Sequence, residues 1–206
     1  MPSITHFEIY KPAEPCTLTG DKLRETMDRI VTDTLSKDGR ELNLKGYCVG
    51  YNGMTIITLD DRVNNVKRLN LGGNRIGDNG VKLLAEAERF ARVNWLELGG
   101  NDIGPQGIRA LAASKALTRV KTLNLYRNCL KDEGAVLFAR ENRLEKIEEL
   151  DLAQNEISDE GLLALADSKR FPNLAAAYFD NNFASMEARE QARLGSNFKK
   201  LQSLNL

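Results

Sequence analysis

The stretch "LNLGGNRIGDNG" at residues 69–80 recurs along the chain at a constant spacing. It is followed 27 residues later by "LELGGNDIGPQG" (96–107), then by "LNLYRNCLKDEG" (123–134) and "LDLAQNEISDEG" (150–161). A valine, isoleucine or leucine also stands three residues before the first LxL position in six of the units. Such constant phase predicts a repeat protein, in which each unit is one small structural element.

Within each unit, alternating apolar positions predict a short strand with its leucines pointing inward. A turn and a helix follow: acids and a proline such as Asp78 and Pro105 favour helix starts, and Ser158 and Ser185 are predicted N-caps. Neighbouring strands pack about 4.8 Å apart, whereas neighbouring helix axes need about 8–10 Å. A stack of such units must therefore bend, with its strands on the inside and its helices on the outside. The sequence therefore predicts an α/β solenoid, a short right-handed horseshoe with parallel strands on the concave face and helices on the convex face.

Two further columns of residues share the repeat spacing. A glycine column inside the first helical turn is predicted to let the helix approach the sheet closely, and it lacks the lysine and the spacing of a phosphate loop. An asparagine column is predicted to be buried, where each amide can donate to and accept from the turns of neighbouring units. The asparagines of this predicted ladder are Asn74, Asn101, Asn128, Asn155 and Asn182.

The pattern LxLxxNxIxxxGxxxLA at 69–85, 96–112 and 150–166 resembles the leucine-rich repeats of the ribonuclease-inhibitor-like class. The resemblance covers residues 39–206, six units and the first strand of a seventh. It implies a strand-lined concave face of the kind commonly used to hold other proteins. Residues 1–38 lie outside the period and are predicted to form an N-terminal cap, with a strand in "ITHFEIY" and a helix that begins near Thr19.

The chain departs from this pattern at both ends of the array. In the first unit Tyr47 replaces the asparagine, and "MTIITLDD" (54–61) is rich in β-branched residues and is predicted to be a poor helix. At the other end, "LQSLNL" supplies a strand with no following helix. This edge predicts either self-association or a longer natural chain, while the polar segment 186–195 is expected to cap the stack in part.

Composition excludes several classes of function. The chain has 29 Lys and Arg against 29 Asp and Glu, which gives no attraction to nucleic acid or to an anionic membrane. No apolar run reaches the roughly 20 residues that a membrane helix needs, and the N-terminus does not resemble a cleaved secretory signal. Cys16, Cys48 and Cys129 are odd in number and match no metal motif, which argues against a disulfide scaffold and favours a reducing, cytoplasmic location.

The sequence also predicts no catalytic centre. His6, the single histidine, is assigned to the predicted N-terminal strand, and no second histidine is present to build a triad or a zinc site. We therefore expect a non-enzymatic protein without a cofactor or a metal, whose partner is another protein.

The alternation along each strand predicts which side chains line the concave face. Trp95, the single tryptophan, is predicted to point to solvent between Arg68 and Thr122, although its ring could instead lie flat over the stem of Arg68. Glycines at 72, 73, 99 and 100 predict a floor without side chains or, equally, simple turn geometry. The residues predicted to contact a partner are Arg68, Asn70, Trp95, Glu97, Thr122, Asn124, Tyr126, Arg127, Glu149, Asp151 and Tyr178.

Two other functions stay open at this point. Some proteins of the family that this chain resembles accelerate GTP hydrolysis by a small GTPase from their loop rim, and Arg75 or Arg127 could stabilise transition-state charge in that way. The repeats could also be the recognition domain of a pathogen effector or an immune receptor, which would place the chain in the cytosol of a host cell.

Overall fold

Seven short strands lie side by side in one open parallel sheet within residues 14–206, the part of the chain that the computed structural model describes. The strand order follows the chain order, and facing residues such as Leu69 and Leu96 belong to neighbouring units. The strands are β1 (Glu41–Asn43), β2 (Arg68–Asn70), β3 (Trp95–Glu97), β4 (Thr122–Asn124), β5 (Glu149–Asp151), β6 (Ala176–Tyr178) and β7 (Ser203–Asn205).

Helices alternate with these strands and form the second layer. They are α1 (Gly20–Thr34), α2 (Gly50–Ile57), α3 (Gly77–Glu86), α4 (Pro105–Ala112), α5 (Lys131–Glu141), α6 (Asp159–Ala166) and α7 (Met186–Arg193). Short 3-10 turns precede α1 and β2, follow α3, and precede β7. The predicted α/β solenoid is confirmed, with its strands on the concave face and its helices on the convex face.

The core lies between the two layers. The middle residue of each inner strand is buried, for example Leu69 and Leu96, and the second leucine of each unit is equally buried, as Leu71 and Leu98 show. The helices contribute one apolar face from residues such as Leu84, as expected from their i, i+3, i+4 spacing. Because one continuous core joins the leucines of successive units, each unit is stabilised by its neighbours in the array.

The repeat glycines act differently from the prediction. A Cβ on Gly161 would lie 2.6 Å from Asp132 Oδ1 and 2.9 Å from Ala135 Cβ, both on the preceding helix α5. A Cβ on Gly80 would likewise lie 3.3 Å from Met54 Cγ on α2. The glycine column therefore permits close packing between successive helices, rather than between helix and sheet.

The acids at the helix starts form a second ladder between units. Asp132 Oδ1 accepts hydrogen bonds from the backbone N–H groups of Ser158 and Gly161 at 2.8 and 3.0 Å, which caps the next helix. Ser158 occupies the predicted N-cap position of α6, but its hydroxyl donates to Asp132 and makes no capping bond. Ser185 does cap its helix, because its hydroxyl accepts from Ala188 N–H at 3.1 Å.

Helix α2 corrects the expectation that 54–61 is a poor helix. Residues 50–57 are helical, and Met54 and Ile57 are completely buried on its inner face. Packing against the core has overridden the weak helix propensity of this segment. Only residues 58–61 lie outside the helix, as the low propensity would favour.

At the N-terminal end of the array, α1 confirms the helix predicted near Thr19 and buries Leu23, Met27, Ile30 and Val31. A single antiparallel bridge between Leu35 and Leu42 covers the outer side of β1, and Ser36 N–H donates to Glu41 C=O at 2.8 Å. The predicted strand in "ITHFEIY", with His6, lies outside the described residues.

The expectation drawn from the cysteine count is wrong, since Cys16 and Cys48 form a disulfide. The two residues are 32 positions apart, and the fold brings the 3-10 turn Pro15–Thr17 against the turn that precedes α2. Disulfides persist mainly in oxidising compartments, so the cysteines no longer support a reducing one. Cys129 is the free cysteine of the described chain.

Candidate functional site

The concave face is formed by the strand residues that flank the buried leucines. On β2 and β3 these are Arg68, Asn70, Trp95 and Glu97, and the adjacent strands continue both columns in register. All eleven residues predicted to contact a partner lie on these strands or on the turns that follow them. Arg68, Tyr126, Arg127 and Glu149 are exposed, and the other seven are half-buried.

Trp95 and Arg68 lie opposite each other on the neighbouring strands β3 and β2. The guanidinium carbon of Arg68 lies 4.3 Å from the centroid of the Trp95 ring. Arg68 also approaches Glu41 on the strand before it, with 3.5 Å between Nε and Oε1. Of the two sequence-based alternatives, the contact with Arg68 is the one observed, and Trp95 is half-buried rather than enclosed in the core.

The column between the leucines has a structural role that the sequence analysis missed. Asn70, Glu97, Asn124 and Asp151 each accept a hydrogen bond from the backbone N–H two residues further on, at distances from 2.6 to 3.0 Å. This is the turn-forming bond typical of Asn and Asp, and here Glu97 makes it too. The signal was an Asn or Asp placed two residues before each turn. These side chains therefore fix the turn as well as lining the face.

Four carboxylates lie on the concave face between β3 and the turn that follows β6: Glu97, Glu149, Asp151 and Asp180. None of them forms an ion pair with any other residue between 14 and 206. Burial raises the pKa of Glu97 above its ordinary value, and Asp151 raises it further, against a hydrogen bond from Gly99 and the charge of Lys45.

The second half-buried acid of this group behaves in the same way. Burial raises the pKa of Asp151, the negative charges of Asp180 and Glu149 add to the shift, and the Ala153 N–H opposes it. The pKa values of Glu97 and Asp151 are raised, and two further acids lie on the same part of the face. A positive charge brought to this part of the face would therefore be favoured.

The predicted glycine floor divides into two pairs. Gly73 and Gly100 have φ of +68° and +65°, so they serve the turn geometry. Gly72 and Gly99 lie under the Glu97 side chain: a Cβ on Gly99 would stand 2.8 Å from Glu97 Oε1, and one on Gly72 would stand 3.5 Å from its Cγ. The floor is therefore crossed by Glu97 and is not an open slot beside Trp95.

Arg127 belongs to a different surface from the rest of the predicted set. It has φ of +52° in the turn after β4 and lines an open groove of about 690 Å³ along the loop rim, together with Arg75, Asp102, Glu156 and Phe183. Arg75 has φ of +54°. Tyr126 and Tyr178 stay with the concave strands, and Tyr126 is 38% exposed.

The asparagine ladder lies directly beneath this rim. Asn101 is representative: its Nδ2 donates to Leu98 and Leu71 C=O at 2.9 Å, and its Oδ1 accepts from Asn74 N–H at 3.0 Å, 27 residues away. One rung is incomplete, since the buried Oδ1 of Asn155 has no hydrogen-bond partner among the described residues. Asn182, in the last full unit, is half-buried and makes the same donor bonds to Leu152 and Phe179 C=O.

Within residues 14–206 no helix is both long enough and apolar enough to cross a membrane.

The repeat array is similar to a known protein family. The leucine-rich repeat family model matches four stretches, residues 64–85, 96–112, 117–139 and 144–166. No curated protein matches the chain in sequence. Among solved structures, a crystal structure of a plant ice-binding protein matches at 17% identity with a TM-score of 0.39, over 71% of this chain and 50% of that one. The chain thus spans about half the length of that structure.

Proposed function

We propose that this leucine-rich repeat solenoid is a non-enzymatic module that binds a partner protein on its concave face, with the anchor at Trp95. Leucine-rich repeats generally mediate protein–protein interaction.

The observation that carries the proposal is the stacked pair of Trp95 and Arg68. Tryptophan and arginine are the residue types that most often dominate the free energy of binding at protein interfaces. Here the guanidinium holds the ring in one orientation at 4.3 Å, so little side-chain freedom remains to be lost when a partner binds. A half-buried, oriented aromatic ring on a sheet surface is the type of anchor that an apolar side chain of a partner can cover.

The charges of the face indicate the rest of the partner. The acidic part of the concave face, formed by Glu97, Glu149, Asp151 and Asp180, contains no ion pair with another described residue. A lysine or arginine brought against these carboxylates would be attracted by all four and would lower the raised pKa values of Glu97 and Asp151. We therefore infer a partner with a basic segment next to an apolar residue that reaches Trp95.

The test is a crosslinking pull-down followed by mass spectrometry, with binding then measured for the purified partner by calorimetry. Trp95→Ala is expected to weaken binding by about 2 kcal/mol, which is about thirtyfold. Tyr51→Ala is the matched control, because Tyr51 is an exposed aromatic residue on α2, on the helical side. A partner bound equally well by both variants would overturn the concave-face anchor.

A second candidate function is supported by the rim groove. Arg75 and Arg127 both line it, both are exposed, and both stand on turns with left-handed backbone. Two cations on one accessible groove could stabilise the charge that develops when a small GTPase hydrolyses GTP. GTP turnover measured against a panel of small GTPases tests this: acceleration lost in Arg75→Ala or Arg127→Ala supports it, and no acceleration, or acceleration indifferent to both changes, eliminates it.

A further inference from the structure

A cluster of metal-ligating side chains lies where the 3-10 turn Pro15–Thr17 meets the first repeat unit. The Sγ atoms of Cys16 and Cys48 and a carboxylate oxygen of Glu14 all lie within 4.8 Å of one another. Among residues 14–206 no other group of three such side chains converges this closely. Glu14 Oε2 lies 4.0 Å from Cys16 Sγ, on the same side of the 3-10 turn.

We propose that, once the disulfide is reduced, Cys16, Cys48 and Glu14 form a binding site for one thiophilic divalent cation, with Zn²⁺ as its occupant. Two thiolates and one carboxylate are the donors that zinc accepts, and the sulfur ligands select against Mg²⁺ and Ca²⁺. Three protein ligands leave the fourth tetrahedral position open for water. The expectation from sequence that the chain lacks a metal site rested on cysteine spacing, which cannot register a pairing across 32 residues.

The backbone keeps the two cysteines together without the covalent bond. Cys16 N–H donates to Cys48 C=O at 2.7 Å, and Asn52 Nδ2 donates to Leu18 C=O at 3.3 Å. Gly50 allows this approach: its φ is +59°, and a Cβ there would lie 2.7 Å from Cys16 Cβ. Reduction therefore leaves two thiols side by side rather than two separated chain segments.

The spacing of the backbone suits a metal as well as a disulfide. The two Cα atoms are 5.6 Å apart. Zinc–sulfur bonds of about 2.3 Å at a tetrahedral angle place two sulfurs about 3.8 Å apart. Side-chain rotation of the two cysteines covers this change, so the turns that carry them can stay in place.

The chemistry is balanced in two steps. A dithiol reductant gives two electrons to the disulfide: the S–S bond breaks, each sulfur takes up one proton, and the dithiol is oxidised to its own disulfide. Zn²⁺ then binds both sulfurs and releases their two protons. The N-terminal cap would thus be fastened to the first unit by a disulfide under oxidising conditions and by a metal under reducing ones.

The test uses the full chain, reduced with a dithiol, freed of reductant without air and titrated with Co²⁺ as a spectroscopic probe. We expect thiolate-to-cobalt absorption that saturates at one Co²⁺ per chain and disappears when Zn²⁺ is added. Cys16→Ser and Cys48→Ser should each abolish it, and Glu14→Gln should weaken Co²⁺ binding about tenfold or more. Cys129→Ser, which removes the free cysteine, should leave it unchanged.

Circular dichroism of each variant shows whether it has folded, so a lost signal in a folded Cys16→Ser chain reports on the site itself. The proposal is overturned if the reduced, folded chain gives no thiolate-to-cobalt absorption. It is equally overturned if the absorption survives in both cysteine variants, or if the native disulfide resists reduction by the dithiol. The outcome does not depend on whether the concave face binds a protein.

Discussion

The guanidinium carbon of Arg68 stands 4.3 Å above the ring of Trp95, so that two residues in register on neighbouring strands cover one another on the concave face. Glu41, one strand further, approaches the same arginine at 3.5 Å. An acid, an arginine and a tryptophan thus contact one another in sequence across β1, β2 and β3. A cation–π contact of this kind at a partly exposed site contributes about 0.5–1 kcal/mol.

The first prediction concerns the accessibility of Trp95. Because the ring is only half-buried, acrylamide should quench its fluorescence readily. Arg68 covers one side of the ring, so Arg68→Ala should increase the quenching constant by exposing that side. Trp95 is the single tryptophan, so the emission has one source. Arg40→Ala, which removes an exposed arginine that approaches Asp38, is the control and should change nothing. A blue emission that acrylamide cannot quench would place Trp95 in the core.

The second prediction uses the incomplete rung of the asparagine ladder. Asn128 Oδ1 accepts from Asn101 N–H and Ile103 N–H at 3.0 and 3.1 Å, whereas Asn155 Oδ1 has no partner in the described chain. Asn128→Leu should therefore lower the free energy of unfolding by about 3 kcal/mol or more, since each buried group left unsatisfied costs about 1–3 kcal/mol. Asn155→Leu, which loses only donor bonds, should cost less.

Urea unfolding of both variants checks this order. Asn79→Leu, at an exposed position on α3, is the control and should leave the urea midpoint within experimental error. An unchanged midpoint for Asn128→Leu, or a larger loss for Asn155→Leu, would contradict the role assigned to the ladder oxygens.

The sequence predicted those features that repeat along the chain. Leucine positions 27 residues apart determine which residues face each other, so the register of Leu69 on Leu96 follows directly from the sequence. Features confined to one place could not be predicted in this way. An odd cysteine count cannot show that Cys16 meets Cys48, because that contact depends on how the turn Pro15–Thr17 packs against the first repeat unit.

Strand alternation predicted where most of the candidate residues lie, but it did not predict their interactions. Strand alternation places Glu97 on the concave face, yet it cannot show that the carboxylate bends back to accept from Gly99 N–H at 2.6 Å. Arg127 was grouped with the concave residues by its place next to Tyr126, whereas the left-handed turn carries it to the rim groove. In both cases a turn hydrogen bond or a backbone angle decides the direction, and strand periodicity carries no information about either.

The third prediction concerns pH. The pKa of Glu97 is raised in the folded chain above its ordinary value of 4.5. Just above pH 4.5, the unfolded chain has therefore largely released this proton, whereas the folded chain still holds it. Stability should therefore fall as pH rises from about 4.5 through the raised pKa, and it should stay lower above it. Glu97→Gln removes the charge and keeps an oxygen for the Gly99 N–H, so it should flatten this dependence and stabilise the chain at neutral pH by about 0.5 kcal/mol, because solvent screens part of the charge.

Thermal unfolding between pH 4 and pH 8 measures this effect. Glu149→Gln, at an exposed acid two strands away on β5, is the control and should shift the curve less. A Glu97→Gln variant less stable than the parent chain at neutral pH would show that the carboxylate contributes favourably and would contradict the prediction.

The last prediction concerns the outer edge of β7. Within the described chain this strand pairs only with β6, and Phe183, Met186 and Leu194 nearby are 70%, 71% and 79% exposed. The edge of β1, by contrast, is covered by the Leu35 bridge, so a head-to-tail stack of copies is blocked. Exposed strand edges next to apolar side chains favour pairing with another strand.

We therefore expect two copies to associate through their β7 edges, although Arg189 closes part of this end by donating to Ala184 and Leu206 C=O. Light scattering across a concentration series should show a dimer, and Leu204→Lys should shift it to monomer by placing a charge on the edge. Leu59→Lys, at a leucine 73% exposed near α2, is the matched control and should leave the dimer intact. A parent chain that stays monomeric at high concentration would reject the dimer and leave two explanations, a longer natural chain or capping of the stack by α7 with Arg189.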